Sequence, residues 1–298
     1  MSDRFWVLCA FWAVVILAVV GLLIACIQTG PASMLKKSSH PHTLVILLGN
    51  ARGGTEAWTT LSEKLLRPLK ADLALLFDHT ETEQSKQLFS MAKYVWSDRI
   101  DFEAVWDSVA DFHKIPRYSR DYKLRPQKNI HGPFGGVAGS GGIIAAFREV
   151  LRTRHSNTVK KYQRIVLSRS DHFYLCDHPD LWPGKREVLV PVGEEYGGFT
   201  DRHAIFNSQD LDRVVNVIPV ILRFTTVDFE TALKRTWRNN KMKVRKFKRT
   251  FFTVFKDNQD STRWGTPKRN FEWEFTGAGL HPKYPKEINL ARKTCSTL

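Results

Sequence analysis

Between Thr43 and Asp78 the chain carries the pattern that most limits its fold. Thr43 to Leu48 is a compact apolar run suited to a buried strand, and Gly49 to Gly54 is the turn behind it. Trp58, Leu61, Leu65 and Leu66 then fall at helical spacing, and Pro68 closes that helix. Ala71 to Phe77 is a second buried strand ending at Asp78. Strand, helix and strand within about 35 residues form a βαβ unit, and such a crossover joins parallel strands. The chain is therefore expected to build an α/β fold on a mainly parallel, twisted sheet flanked by helices.

Downstream, Glu81 to His113 is aromatic-rich and expected to be helical, and Lys114 to His131 is polar and expected to be a surface loop. Gly132 to Gly142 holds six glycines in eleven positions and introduces an amphipathic helix, Ile143 to Arg152. Ser208 to Arg223 and Val227 to Arg238 are expected to be two more helices. Lys241 to Lys256 alternates basic and apolar residues and is expected to be a strand. The last forty residues have no period and are expected to be irregular.

Ahead of this domain, Phe5 to Ile27 is an apolar run of 23 residues without a charge. At about 1.5 Å per residue it extends roughly 34 Å, enough for a hydrocarbon core of about 30 Å. A cleaved signal usually has a core of only about 7 to 15 apolar residues, so a transmembrane anchor is expected. Leu23 to Cys26 also has the form of a lipoprotein cleavage box. The organisation is then a short tail (1–4), an anchor (5–27), a stem (28–42) and one folded domain (43–298). Lys36 and Lys37 behind the run, against Arg4 before it, lean weakly against a lumenal C-terminal domain.

The net charge of +15 calls for acidic partners: anionic head groups, nucleotide diphosphates or acidic glycans. A membrane anchor argues against nucleic acid as the partner. Of four cysteines, Cys9 and Cys26 lie in the apolar run. Cys176 and Cys295 are open to pairing or to remaining as buried thiols.

Two strand-plus-acid segments carry the chemistry. Arg164 to Leu167 leads into Ser168, Arg169, Ser170, Asp171 and His172. Val188 to Val190 leads towards Gly197, Gly198, Phe199, Thr200, Asp201, Arg202 and His203. Ligands of open α/β sheets bind beyond the carboxyl ends of the strands, so Asp171 and Asp201 are expected around one crevice. Arg169 and Asp171, two apart on a strand, share a face. Arg169 would meet a phosphate or pair with Asp171. Asn50 and Arg52, in the glycine turn after the first strand, are candidates to approach a phosphate, and Asp78 to meet a base or ribose. The competing readings are structural: a turn-capping Asp171, an Asp201 paired with Arg202, and a plain turn at Asn50 to Gly54.

"IVLSRSDHFY" followed by "GGFTDRHAIF" resembles glycosyltransferases of the nucleotide-diphospho-sugar transferase (GT-A) fold, over roughly residues 43 to 225. The resemblance implies a nucleotide-sugar donor held through Asn50, Arg52, Asp78, Arg169 and Asp171. It implies a divalent cation, Mn2+, on Asp171, and a glycan, protein or lipid acceptor served by Asp201 as general base or acceptor ligand. It also implies a type II membrane protein of Golgi or ER. The sequence departs from the pattern where Arg169 stands for the first Asp of D-x-D. A membrane-anchored sulfotransferase, or a transferase-like binding protein that has lost catalysis, are the alternatives. His281 is a minor candidate metal ligand.

Overall fold

The structure is a computed structural model and describes residues 42–97, 99–114, 140–193, 195–223, 229–256 and 279–297. The expected anchor and nearly all of the stem lie outside the described residues, as do residues 115–131 of the expected surface loop and most of the glycine-rich segment. Among the described residues no helix is long and apolar enough to cross a membrane.

The βαβ unit forms as the periodicity requires. Strand β1 (Thr43–Gly49) leads into helix α1 (Gly54–Leu61), which continues through a π-turn segment (Ser62–Leu66) and a last turn (Arg67–Leu69) to β2 (Asp72–Phe77). β1 and β2 are parallel, with Leu44 opposite Asp72 and Gly49 opposite Phe77. Both strands are buried on each face, which their unbroken apolar runs reflect.

The segment expected to be helical from Glu81 to His113 is interrupted. Helix α2 (Lys86–Ser90) and α3 (Phe102–Phe112, capped by Asp101) flank an edge strand β3 (Tyr94–Ser97). In β3 only alternate residues are half-buried, and four residues are too few to betray a period. Helix α4 (Ser140–Arg154) and the single turn α5 (Ser156–Val159) deliver the chain to β4 (Arg164–Ser168), parallel to β1.

After β4 come a short β5 (His172–Tyr174), β6 (Glu187–Pro191) and β7 (Ala204–Asn207). A 3-10 turn (Ser208–Asp210) opens α6 (Leu211–Val215), which stops at Asn216 before α7 (Ile218–Arg223), so the single helix expected here is two. Helix α8 (Phe229–Asn239) follows. The strand expected over Lys241 to Lys256 divides into β8 (Lys243–Phe247) and β9 (Phe251–Lys256), in different sheets. The C-terminal stretch, expected to be irregular, supplies β10 (Leu280–Pro282) and helix α9 (Pro285–Cys295), opened by Pro285 at its first turn.

Among the described residues seven strands form a mixed sheet in the order β3-β2-β1-β4-β7-β6-β8, parallel except for β7. A second sheet, β10-β9-β5, is antiparallel. One core, with Phe147, Phe206 and Trp237, lies on the α4 and α8 face. The other, with Trp58, Phe251 and Phe252, lies between the large sheet, α1 and the small sheet. The fold is thus mixed α/β with a largely parallel central sheet, as the βαβ unit led us to expect.

Candidate active site

The turn after β1 is clamped onto the end of β4. Gly53, at φ 88°, caps α1 in the left-handed region that favours glycine. A Cβ there would lie 3.0 Å from the Asp171 Cα and 3.0 Å from the Ala57 Cβ. Ser170 Oγ donates to the Asn50 carbonyl (2.6 Å) and accepts from the Arg52 amide (3.0 Å). The Trp58 indole donates to the Arg52 carbonyl at 2.8 Å. With its amide nitrogen turned to Asp78, Asn50 reaches the Asp78 carboxylate at 2.7 Å. Asn50, Arg52, Asp78, Arg169 and Asp171 therefore meet at the carboxyl ends of β1, β2 and β4.

Arg169 and Asp171 share a face, as their spacing requires, and use it to bind each other. Arg169 Nε and Nη2 donate to the two Asp171 oxygens at 2.7 and 2.6 Å, a bidentate pair. Burial acts to raise the Asp171 pKa, but the Arg169 guanidinium overrides it and holds the carboxyl well below the usual range. The Asp171 side chain is 2% exposed and that of Arg169 25%, so the guanidinium is the half of the pair open to a ligand.

These donors do not fit a divalent ion. Both Asp171 oxygens are committed to Arg169, and no group of three acidic, histidine or cysteine side chains among the described residues is arranged to hold a metal. His281 stands in β10 with its ring stacked on Phe255.

Asp201 precedes β7 and lies beside the pair, close enough for its charge to help hold the proton on Arg169. Its carboxylate is 4.0 Å from Arg202 Nε, too long for a hydrogen bond. Its backbone carbonyl accepts from Arg148 Nη2 of α4 at 3.1 Å. Arg148 is buried, its Nε and Nη1 have no hydrogen-bond partner among the described residues, and it faces the Phe229 ring at 5.4 Å. Burial lowers its pKa to about 10, which leaves it charged at neutral pH.

Several groups that frame the site carry no local sequence signal. Glu287 of α9 is fully buried. Its Oε1 accepts from Arg202 Nη1 (2.9 Å) and Arg249 Nη1 (3.0 Å), and its Oε2 from the Thr253 amide (2.7 Å). The Arg202 guanidinium lies 3.9 Å over the Tyr284 ring, with Tyr196 at 5.7 Å on the same cation. A cavity of about 320 Å³ opens beside them, lined by Val192, Gly193, Glu195, Tyr196, Lys286 and Leu290. Cys176 and Cys295 form a disulfide with Cα atoms 5.7 Å apart, which ties α9 to the segment after β5. The two-thiol alternative is thereby set aside.

Behind the Arg169–Asp171 pair, three histidines form a buried chain. Ser168 Oγ lies 3.1 Å from His172 Nδ1 and 3.1 Å from His203 Nδ1, and His203 Nε2 lies 3.2 Å from His178 Nε2. Phe247 and Phe251 pack against the rings. Desolvation pushes His172 down to about 3, His178 to about 4 and His203 well below its ordinary value, so all three are neutral at pH 7.

No family model and no curated protein matches the sequence. Among solved structures, mouse xyloside xylosyltransferase 1 in its apo form is similar at a TM-score of 0.36 and 12% identity, over 69% of this chain and 84% of that chain.

Proposed function

We propose that this chain is a membrane-anchored glycosyltransferase that moves a sugar from a nucleotide-sugar donor to a hydroxyl of a glycan, protein or lipid. The observation that supports it is the convergence of the Asn50–Gly53 turn, the Arg169–Asp171 pair and Asp201 at the carboxyl ends of parallel strands. Gly53 lets the turn backbone sit against the pair, which suits a diphosphate lying between Arg52 and the exposed side of Arg169. In this reading Arg169 neutralises the leaving diphosphate, and Asp171 holds its guanidinium in place. Asp201 accepts the proton of the acceptor hydroxyl as its oxygen bonds to the anomeric carbon and the diphosphate departs. The disulfide suits an oxidising compartment, in keeping with a type II protein of the Golgi or ER lumen.

The second reading, a transferase-like binding protein without catalysis, is favoured by one observation: the Asp171 carboxylate is fully occupied by Arg169. Titration calorimetry with nucleoside diphosphates, and turnover assays with nucleotide sugars and with the adenylyl-sulfate donor, separate the readings. Diphosphate binding that is equal in chelator and in manganese, lost in Arg169→Ala, and accompanied by sugar transfer supports the proposal. Sulfate transfer, or binding without turnover of any nucleotide sugar, refutes it. Affinity that depends on manganese and disappears in Asp171→Ala would restore the metal on Asp171.

A further inference from the structure

The parallel strands begin together at the pole opposite the candidate site, and the turns that start them are basic. Lys70 stands before β2, Lys160 and Lys161 before β4, Lys185 and Arg186 before β6, and Lys241 before β8. All six are exposed. Their alignment follows from the register. Thr43 lies beside Arg164, Leu44 beside Asp72 and Glu187 beside Lys243, while β7 runs antiparallel between β4 and β6 and leaves those two parallel.

Carboxylates do exist at this pole, but each is already matched. Asp72 takes Lys93 (2.5 Å), Asp180 takes Arg164 (2.6 Å) and Asp210 takes Arg213 (3.1 Å). Asp212 is shared between Arg152 (3.6 Å) and Lys160 (3.7 Å). The side chains of Lys70, Lys161, Lys185, Arg186 and Lys241 make no ion pair or hydrogen bond among the described residues. At the other pole Arg169 pairs with Asp171 and Lys246 with Glu195, while Arg202 and Arg249 share Glu287. Surplus positive charge on one end of the sheet is a field for an extended anionic partner.

We propose that this basic pole docks on the anionic headgroups of a lipid surface. Two observations favour lipid over a soluble polyanion. The cations are spread over successive strand starts, across the end of the sheet, which suits a plane better than a groove following one strand of polymer. The chain also reaches β1 from this same pole. Residues 28–42 span at most about 50 Å when extended, so the pole is tethered within that reach of residues 5–27. Tethering makes the encounter intramolecular, so weak attraction suffices. Each cation near an anionic surface strengthens association about fivefold, and salt screens it. With the pole held to the membrane, the carboxyl-end crevice faces away from it. The inference rests on the reading of residues 5–27 as the anchor.

The test uses the full chain reconstituted into phosphatidylcholine vesicles with and without about 20% phosphatidylserine. Amine acylation read by mass spectrometry reports each lysine. Lys70, Lys161, Lys185 and Lys241 should react several-fold more slowly on the anionic vesicles at low salt and recover at high salt. Lys234 and Lys286, on the far side, should not change. Lys161→Glu, Lys185→Glu and Arg186→Glu together, all at exposed positions, should abolish the protection left at Lys70 and Lys241. Equal reactivity in both vesicle types, with the chain retained through a carbonate wash, overturns the docking while leaving the anchor intact. Protection by a soluble sulfated polysaccharide and not by anionic vesicles overturns it in favour of a polyanion. Release by carbonate with protection retained removes the anchor and leaves docking as peripheral binding.

Discussion

Mild acid is expected to unfold this domain through its histidine chain. His172 and His178 have folded pKa values of about 3 and 4, below the ordinary value of about 6.5, and His203 also lies far below it. The depressed folded pKa means the unfolded chain binds more protons than the folded one between those values and 6.5. Stability is therefore full above pH 6.5 and falls as pH drops through that window. Each histidine released from burial contributes a slope of about 1.4 kcal/mol per pH unit within the window, so three give about 4 kcal/mol per unit. From pH 7 to pH 5, His172 and His178 together account for a loss of about 4 kcal/mol, comparable to the total stability of many domains. Asp171 and Glu287, whose folded carboxyls are held low, add their losses only at lower pH, so the two effects separate. Urea unfolding followed by tryptophan emission at half-unit steps from pH 7.5 to 5 measures the slope. His178→Gln should reduce it by about 1.4 kcal/mol per unit. A midpoint unchanged between pH 7 and 5, or a slope unaltered in His178→Gln, would refute the burial of neutral imidazoles.

Three further perturbations test other joints of the structure. Glu287→Gln leaves Arg202 and Arg249 buried beside a weaker acceptor, and should cost about 3 to 5 kcal/mol by denaturant titration; wild-type stability would show that the buried pair carries no weight. Cys176→Ser opens a covalent loop with a sequence separation of 119 and should lower stability by about 2 to 4 kcal/mol, with the wild type matching it only after reduction. Asp201→Asn should lower turnover about 10²- to 10⁴-fold at saturating acceptor with donor affinity unchanged, whereas a rise confined to the acceptor KM would assign Asp201 to acceptor binding.

The parts of the fold legible in sequence were strands buried on both faces and the helix next to them in the chain. β1, β2 and β4 are such strands, although β4 pairs with the distant β1, because a doubly buried strand must be apolar throughout, and a glycine turn must stand between β1 and α1. β3 and β5 escaped notice because three or four residues hold no period. The boundary between β8 and β9 is harder still. Basic and apolar residues alternate from Lys241 to Arg245, and nothing in the mixed basic and aromatic residues that follow marks Arg249 as the place where the chain leaves one sheet for the other. The cause lies at a distance: Arg249 is fully buried to meet Glu287, 38 residues on, and Glu287 sits on a helix that a Pro- and Lys-rich tail did not announce. The site divides the same way. The i, i+2 spacing put Arg169 and Asp171 on one face, which is local geometry, while the choice between a phosphate ligand and an internal pair rested on distances the sequence does not encode. The histidine chain brings together residues from β5, the loop after it and the start of β7, each unremarkable in its own segment. Their common solvent-free environment, made by Phe247 and Phe251 from two different sheets, is what fixes their charge, and it exists only once the sheets have packed.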